Sequence, residues 1–332
     1  MSKNNSTILI VGNGFDLALG YDSGYTHFVN TVAGSVANYF WPFKQPDESE
    51  FKTESLHQYF YNYYISHRDD SGKIKWIDLE GELYNYVSSK RGIEVSADLV
   101  LYDKMSYSFL VRALYLYLYR HEELKCKYHP PKREEKCVVE LLQGLSNSKC
   151  LRGIYTFNYT DLKERLKKYG GFVDELIPPI TYVHGSLENS TEMKPNIVLG
   201  INTDYTLPME YSFLQKINNP NADAGNLALD LSTCDEIIFY GLSMGKIDFE
   251  YFQSFFQSVI SAPISAPKKH ISILTKGGEM ISSISKNIND MGISIRALKE
   301  RSHFNIIDTR EAEYDDNGHY DVFHELIKRI AQ

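Results

Sequence analysis

Ile8-Leu9-Ile10-Val11-Gly12-Asn13-Gly14-Phe15-Asp16-Leu17 is the stretch that decides the fold class. Four β-favouring apolar residues run into Gly-x-Gly, and an apolar helical pattern follows. That order predicts a buried parallel strand, a tight turn and a helix start, the opening unit of a nucleotide-binding α/β domain. Glycine lets the backbone approach a phosphate, and N–H groups at a helix start favour an anion. Gly12-Asn13-Gly14 lacks the third glycine of the common dinucleotide fingerprint. Two readings of the turn are therefore open here, a phosphate cradle and a turn that binds nothing.

The chain of 332 residues is long enough for one large core carrying a sizeable insertion. Hydrophobic residues make up 43% and charged residues 23%, as in an ordinary globular protein. The net charge is −8 and no basic block occurs, which argues against a nucleic-acid face. No basic segment followed by an apolar stretch marks a secretory signal, and no apolar run reaches the roughly 20 residues of a membrane helix. The four cysteines, Cys126, Cys137, Cys150 and Cys234, form no Cys-x-x-Cys pair. A structural zinc and a disulfide framework are thus not expected, and a cytoplasmic protein with buried free thiols is.

Beyond the first helix, Gly20 to Phe28 reads as a loop bearing Tyr21 and Tyr25, where a ligand wall or an ordinary surface loop would sit. From about residue 30 to 149 strand signals nearly vanish and tyrosines cluster, at 59–64 and 107–119. Phe109–Tyr119 is apolar almost all round and suits a buried helix. This block is read as a helical insertion, 30–149, within one α/β domain spanning 1–332. Its aromatic stripe fits core or subunit interface better than a binding box. In Trp76-Ile77-Asp78-Leu79-Glu80, Asp78 is placed near a helix cap. Strands return at Gly153–Phe157, Ile180–Val183, Ile197–Ile201, Glu236–Gly241 and Ile271–Thr275. Ile293–Leu298 and Phe304–Asp308 are further candidates, and Tyr320–Ile330 closes as an amphipathic helix. Asn158, His184 and Gly241-Leu242-Ser243 each follow a strand, at the edge where parallel sheets bind ligands. The fold class expected is α/β, a Rossmann-like, mainly parallel sheet with helices on both faces.

With these residues assembled, the chain resembles the AbiH family of bacterial phage-defence proteins. The matching pieces are Gly12-Asn13-Gly14-Phe15-Asp16-Leu17, Ser23-Gly24-Tyr25 with Phe28, Trp76-Ile77-Asp78-Leu79-Glu80, Phe157-Asn158-Tyr159-Thr160, His184-Gly185, and Gly241-Leu242-Ser243 with Asp248. Ser23 stands where the family usually has threonine, and His27 where an acid is common. The order of these motifs is also similar to the sirtuin-like NAD-consuming domains of bacterial defence. That similarity implies NAD as substrate, no metal, and cleavage of the nicotinamide–ribose bond by Asn158 and His184. The four-cysteine zinc module of sirtuin deacylases is missing, so protein deacylation is not expected.

In such a reaction nicotinamide leaves through an oxocarbenium-like state, and water must reach C1′. An amide such as Asn158 donates and accepts at once, and His184, with a reference pKa of about 6.5, can take a proton near neutrality. Gly12, Asn13 and Gly14 would hold the pyrophosphate, Phe15 and Asp16 would lie at the nicotinamide end, and Gly241 and Ser243 at the adenosine half. Tyr25, Thr156 and Asp248 complete the expected binding set. A nucleotide-binding sensor or scaffold without turnover, and hydrolysis of another N-glycosidic bond, fit the same residues. A nuclease built on Asp16, Glu80 and Asp248 fits less well, because they show no paired metal-ligand spacing. Activity on NAD implies restraint, by a phage-derived trigger, a defence-system partner protein or assembly into a homo-oligomer.

Overall fold

A computed structural model describes residues 6–33, 51–120, 134–188, 190–202, 206–314 and 318–331. Six strands are formed: β1 Thr7–Val11, β2 Leu151–Thr156, β3 Ile180–Tyr182, β4 Glu236–Tyr240, β5 His270–Thr275 and β6 His303–Asp308. The helices are α1 Asn13–Ala18, α2 Tyr25–Ala33, α3 Leu56–His67, α4 Leu79–Ser88, α5 Ala97–Arg120, α6 Lys136–Ser146 and α7 Leu162–Gly170. They continue with α8 Leu227–Thr233, α9 Phe249–Ser261, α10 Gly278–Asp290, α11 Ile295–Arg301, α12 Thr309–Tyr314 and α13 His319–Ile330. The chain divides into two compact units. One joins Met1–Tyr21, Pro131–Val183 and Asp223–Gln332, and the other Asp22–Pro130 and His184–Ala222.

The first unit is the sheet unit. Its six strands lie in the order β3-β2-β1-β4-β5-β6, and every pairing is parallel. β1 sits between β2 and β4, with Leu9 opposite both Ile154 and Ile238. All five residues of β1 and of β4 are buried, as central strands covered on both faces require. Alternation sorts their side chains between two cores. Ile8 and Ile10 pack with Leu227, Phe252, Phe256, Ile284 and Leu298 from α8 to α11. Leu9 and Val11 pack with Leu141, Leu166 and Phe323 from α6, α7 and α13. The expected Rossmann-like α/β class is what forms. Its chain order reverses between β1 and β4, which makes that pair of strand ends the topological switch point.

The second unit is helical, built on α2 to α5 and the returning segment 184–222. Tyr64, Tyr86, Tyr115, Tyr117 and Tyr211 are buried rings with tethered hydroxyls. Tyr86 and Tyr211 both donate to the buried carboxylate of Asp103, at 2.5 and 2.8 Å, and Tyr64 donates to the Gly72 carbonyl. A large ring with one polar handle fills a core while tying down a loop or acid. Asp78 caps α4, its carboxylate accepting from the Gly81 amide at 3.1 Å.

Three expectations change: at Gly20–Phe28, where Tyr25 already opens α2, at Ile197–Ile201 and at Ile293–Leu298. The helical unit covers 22–130 together with 184–222. The helix α6 lies outside the helical unit, because its apolar side (Val138, Leu141, Leu142, Leu145) is part of the sheet's core. Ile197–Ile201 is buried but is no strand: it pairs only through isolated bridges, Gly185 with Ile197 and Ile201 with Gln215. Ile293–Leu298 becomes the start of α11, since Ser294 accepts from the Ala297 amide and caps a helix.

Candidate functional site

The switch point in the sheet unit is assembled from the ends of three neighbouring strands. After β1, the Gly12 amide donates to the Tyr240 carbonyl at 3.0 Å and the Gly14 amide to Gly241 at 2.9 Å. After β4, Gly241 turns with φ +69°, and its amide donates to Leu274. The glycines are needed for this contact. A Cβ on Gly14 would lie 2.6 Å from the Gly241 Cα, and one on Gly241 would lie 2.3 Å from the Phe15 nitrogen. After β2, Asn158 reaches across, its side-chain amide donating to the Gly12 carbonyl at 2.9 Å. The Asn158 main-chain amide donates to the Thr156 hydroxyl at 3.1 Å, which fixes the strand end behind it. Gly12, Gly14, Asn158 and Gly241 thus meet at one place, with Asn13 and Ser243 exposed at its rim.

Other expected site residues lie beneath that edge. Phe15 is fully buried, edge-on to Tyr240 at 5.7 Å. Asp16 is buried in a bidentate arrangement, with Arg165 at 2.9 Å on one oxygen and the Thr160 hydroxyl at 2.6 Å on the other. The Arg165 guanidinium also bonds Thr160 and stacks 4.0 Å over Tyr21. Asp16 therefore ties α1 to α7. Asp248 accepts from the Gly245 amide at 3.0 Å and closes the loop after β4, in which Met244 holds φ +53°. Ser243 contributes its carbonyl to Asn287, 2.9 Å away.

Tyr25 and His184 belong to the helical unit. Tyr25 opens α2 and is half-buried. His184 is 5% exposed, and its Nε2 lies 3.2 Å from the Lys216 Nζ. Lys216, itself 3% exposed, sits 3.0 and 3.1 Å from the two carboxylate oxygens of Glu80. The Gly200 amide donates to Glu80 at 3.2 Å. Burial raises the Glu80 pKa, while Lys216 and the Gly200 amide draw it back. Burial, then the Lys216 charge, lowers the His184 pKa well below the usual imidazole value.

Lys216 and Arg165 carry no signal in the sequence, and Glu80 stands there in the Trp76–Glu80 motif with no partner indicated. Nothing in Phe213-Leu214-Gln215-Lys216-Ile217 marks a buried lysine, because its partner Glu80 is 136 positions away. Asp16, Glu80 and Asp248 have separate partners. No group of three His, Cys, Asp or Glu suited to a metal ion occurs among the described residues. None of the described helices is long and apolar enough to cross a membrane.

A family model described as bacteriophage abortive infection AbiH matches residues 8–266, from β1 to just past α9. No curated protein matches the chain. Because that match covers well over half of its length, the chain belongs to the bacteriophage abortive-infection AbiH family.

Proposed function

From that membership we propose that the protein is an abortive-infection effector that hydrolyses NAD+ to nicotinamide and ADP-ribose once triggered. The observation that supports this most is the switch point of a parallel 3-2-1-4-5-6 sheet, where the two glycine turns meet under Asn158. Dinucleotides bind across such a crevice in this sheet order. Water attacks C1′ of the nicotinamide ribose, and the C1′–N bond breaks with its electron pair going to the pyridine nitrogen. Nicotinamide leaves neutral, and the attacking water gives up one proton. Asn158, held by its amide nitrogen on Gly12, presents its carbonyl oxygen as an acceptor for a ribose hydroxyl or that water. His184 enters this reaction through the resemblance to sirtuin-like domains.

Purified protein is incubated with NAD+, with and without lysate of phage-infected cells as trigger, and nicotinamide and ADP-ribose are followed. The parent is expected to form both, and Asn158→Ala to lose about two orders of magnitude in rate, the usual cost of misplacing a reacting group. An Asn158→Ala protein that folds and hydrolyses at the parental rate removes the assignment. Binding without turnover is a second reading. The Gly14 and Phe15 amides donate to Gly241 and Gly12, so in either reading other donors hold the pyrophosphate. Tight binding of NAD+ by calorimetry, with no product under either condition, decides for that reading.

A further inference from the structure

We infer that Lys216, held by Glu80, is a positioning residue that fixes His184 as a neutral imidazole protonated on Nδ1. The state of the ring rests on geometry alone; that it bears on turnover rests on the function proposed above. An ammonium carries three hydrogens and no lone pair. With Nζ 3.2 Å from Nε2, that ring nitrogen accepts, and the proton of a neutral ring resides on Nδ1. Both oxygens of Glu80 lie on the Lys216 ammonium, and the Gly200 amide donates to Glu80 as well. Lys216 is the charged group facing the ring, and Glu80 stands behind it under the influence of Asp78. A second ring proton would set two cations 3.2 Å apart in a buried place, so the imidazole stays neutral.

The backbone holds the ring in this register. The His184 carbonyl accepts from the Val198 amide at 2.8 Å, and Gly185 turns at φ +73°, where a Cβ would strike the Asn196 carbonyl at 2.3 Å. Nδ1 is accordingly the donor atom of the ring. The proton released by the attacking water goes to solvent, since that water grows acidic as its oxygen bonds to C1′.

The test is the ring nitrogen spectrum of protein labelled with 15N-histidine, the His184 signals being identified by their loss in His184→Gln. The expected spectrum shows Nδ1 protonated and Nε2 bare, unchanged between about pH 8 and pH 5, the range over which an ordinary histidine titrates. A proton on Nε2, or titration inside that range, overturns the inference. Lys216→Met is expected to mix the tautomers, with burial still holding the ring below the ordinary imidazole value, whereas Lys216→Arg keeps the parental state. An unchanged ring in a folded Lys216→Met protein also overturns it. Should that variant not fold, the parental spectrum and Lys216→Arg decide. None of these readouts needs turnover, so a parent that shows the Nδ1 tautomer but leaves NAD+ intact sinks the reaction and not the tautomer. Where turnover occurs, an acid limb in kcat/KM near pH 6.5 that is lost in His184→Gln speaks for a base and against the donor.

Discussion

At Gly241 one missing carbon decides whether two strand ends can meet. Its φ of +69° alone makes a side chain unfavourable, and the Phe15 nitrogen, 2.3 Å from a would-be Cβ, makes it worse. Gly171 has nearly the same φ, +70°, but nothing within 4 Å of its would-be Cβ. The pair separates backbone strain from collision. Gly171→Ala is expected to cost about 1 kcal/mol, the ordinary left-handed penalty. Gly241→Ala is expected to cost about 3 kcal/mol or more, because rigid backbone must shift as well. Urea unfolding of both variants checks this, and equal losses would mean that the β1 and β4 turns do not need their close approach. The glycines themselves were legible in the sequence, since strand followed by Gly-x-Gly is a local pattern. Their contact with one another was not, and neither was the Asn158 side chain donating to Gly12, because both join residues far apart in the chain.

Among the elements, α5 shows what local pattern conveys and where it stops. Its apolar run at Phe109–Tyr119 was readable as a buried helix, and the helix extends over Ala97–Arg120. What organises its neighbours is a charge, Asp103. The carboxylate accepts from the Leu56 amide at the start of α3, from Tyr86 on α4, and from Tyr211. Burial raises its pKa, and these donors oppose that rise. Asp103→Ala strands the Leu56 amide and the Tyr211 hydroxyl, each costing about 1–3 kcal/mol when unpaired, while Tyr86 keeps the Glu54 carbonyl, 3.3 Å away. The expected result is loss of hydrogen-exchange protection across α3 and α4, with β1 and β4 in the other unit keeping theirs. Equal loss in the sheet strands would show that the helical unit does not unfold as a separate cooperative part. Ile197–Ile201 marks the opposite limit. A short apolar run reports burial, and burial without a neighbouring strand produces a packed segment and no ladder.

Across the whole molecule the chain leaves the sheet unit twice, after Tyr21 and after Val183. The first departure was visible as a loss of strand signals. The second is hidden by the same apolar run, since Ile197–Ile201 reads as a strand. Each unit carries a histidine whose folded pKa is depressed, and this sets a common pH response. In the sheet unit His270 is lowered to about 4 by burial, by Arg329 and by His303, on which it stacks at 4.3 Å, with Asp235 opposing. In the helical unit His184 is lowered well below its usual value by burial and Lys216. Unfolding returns such a ring to a pKa of about 6.5, so in the acid range the unfolded chain binds more protons than the folded one. Stability from these groups is complete above pH 6.5 and declines as the pH falls, for His270 until about pH 4. Denaturation midpoints are therefore expected to drop as the pH is lowered from about 7 to 5, over the range in which histidines take up protons. His270→Gln flattens that slope for the sheet unit and leaves the helical unit's response in place, because Lys216 still faces His184. Following each unit by its own amides in hydrogen exchange reads the two slopes separately. An unchanged slope in the sheet unit of His270→Gln would place the proton uptake on other groups.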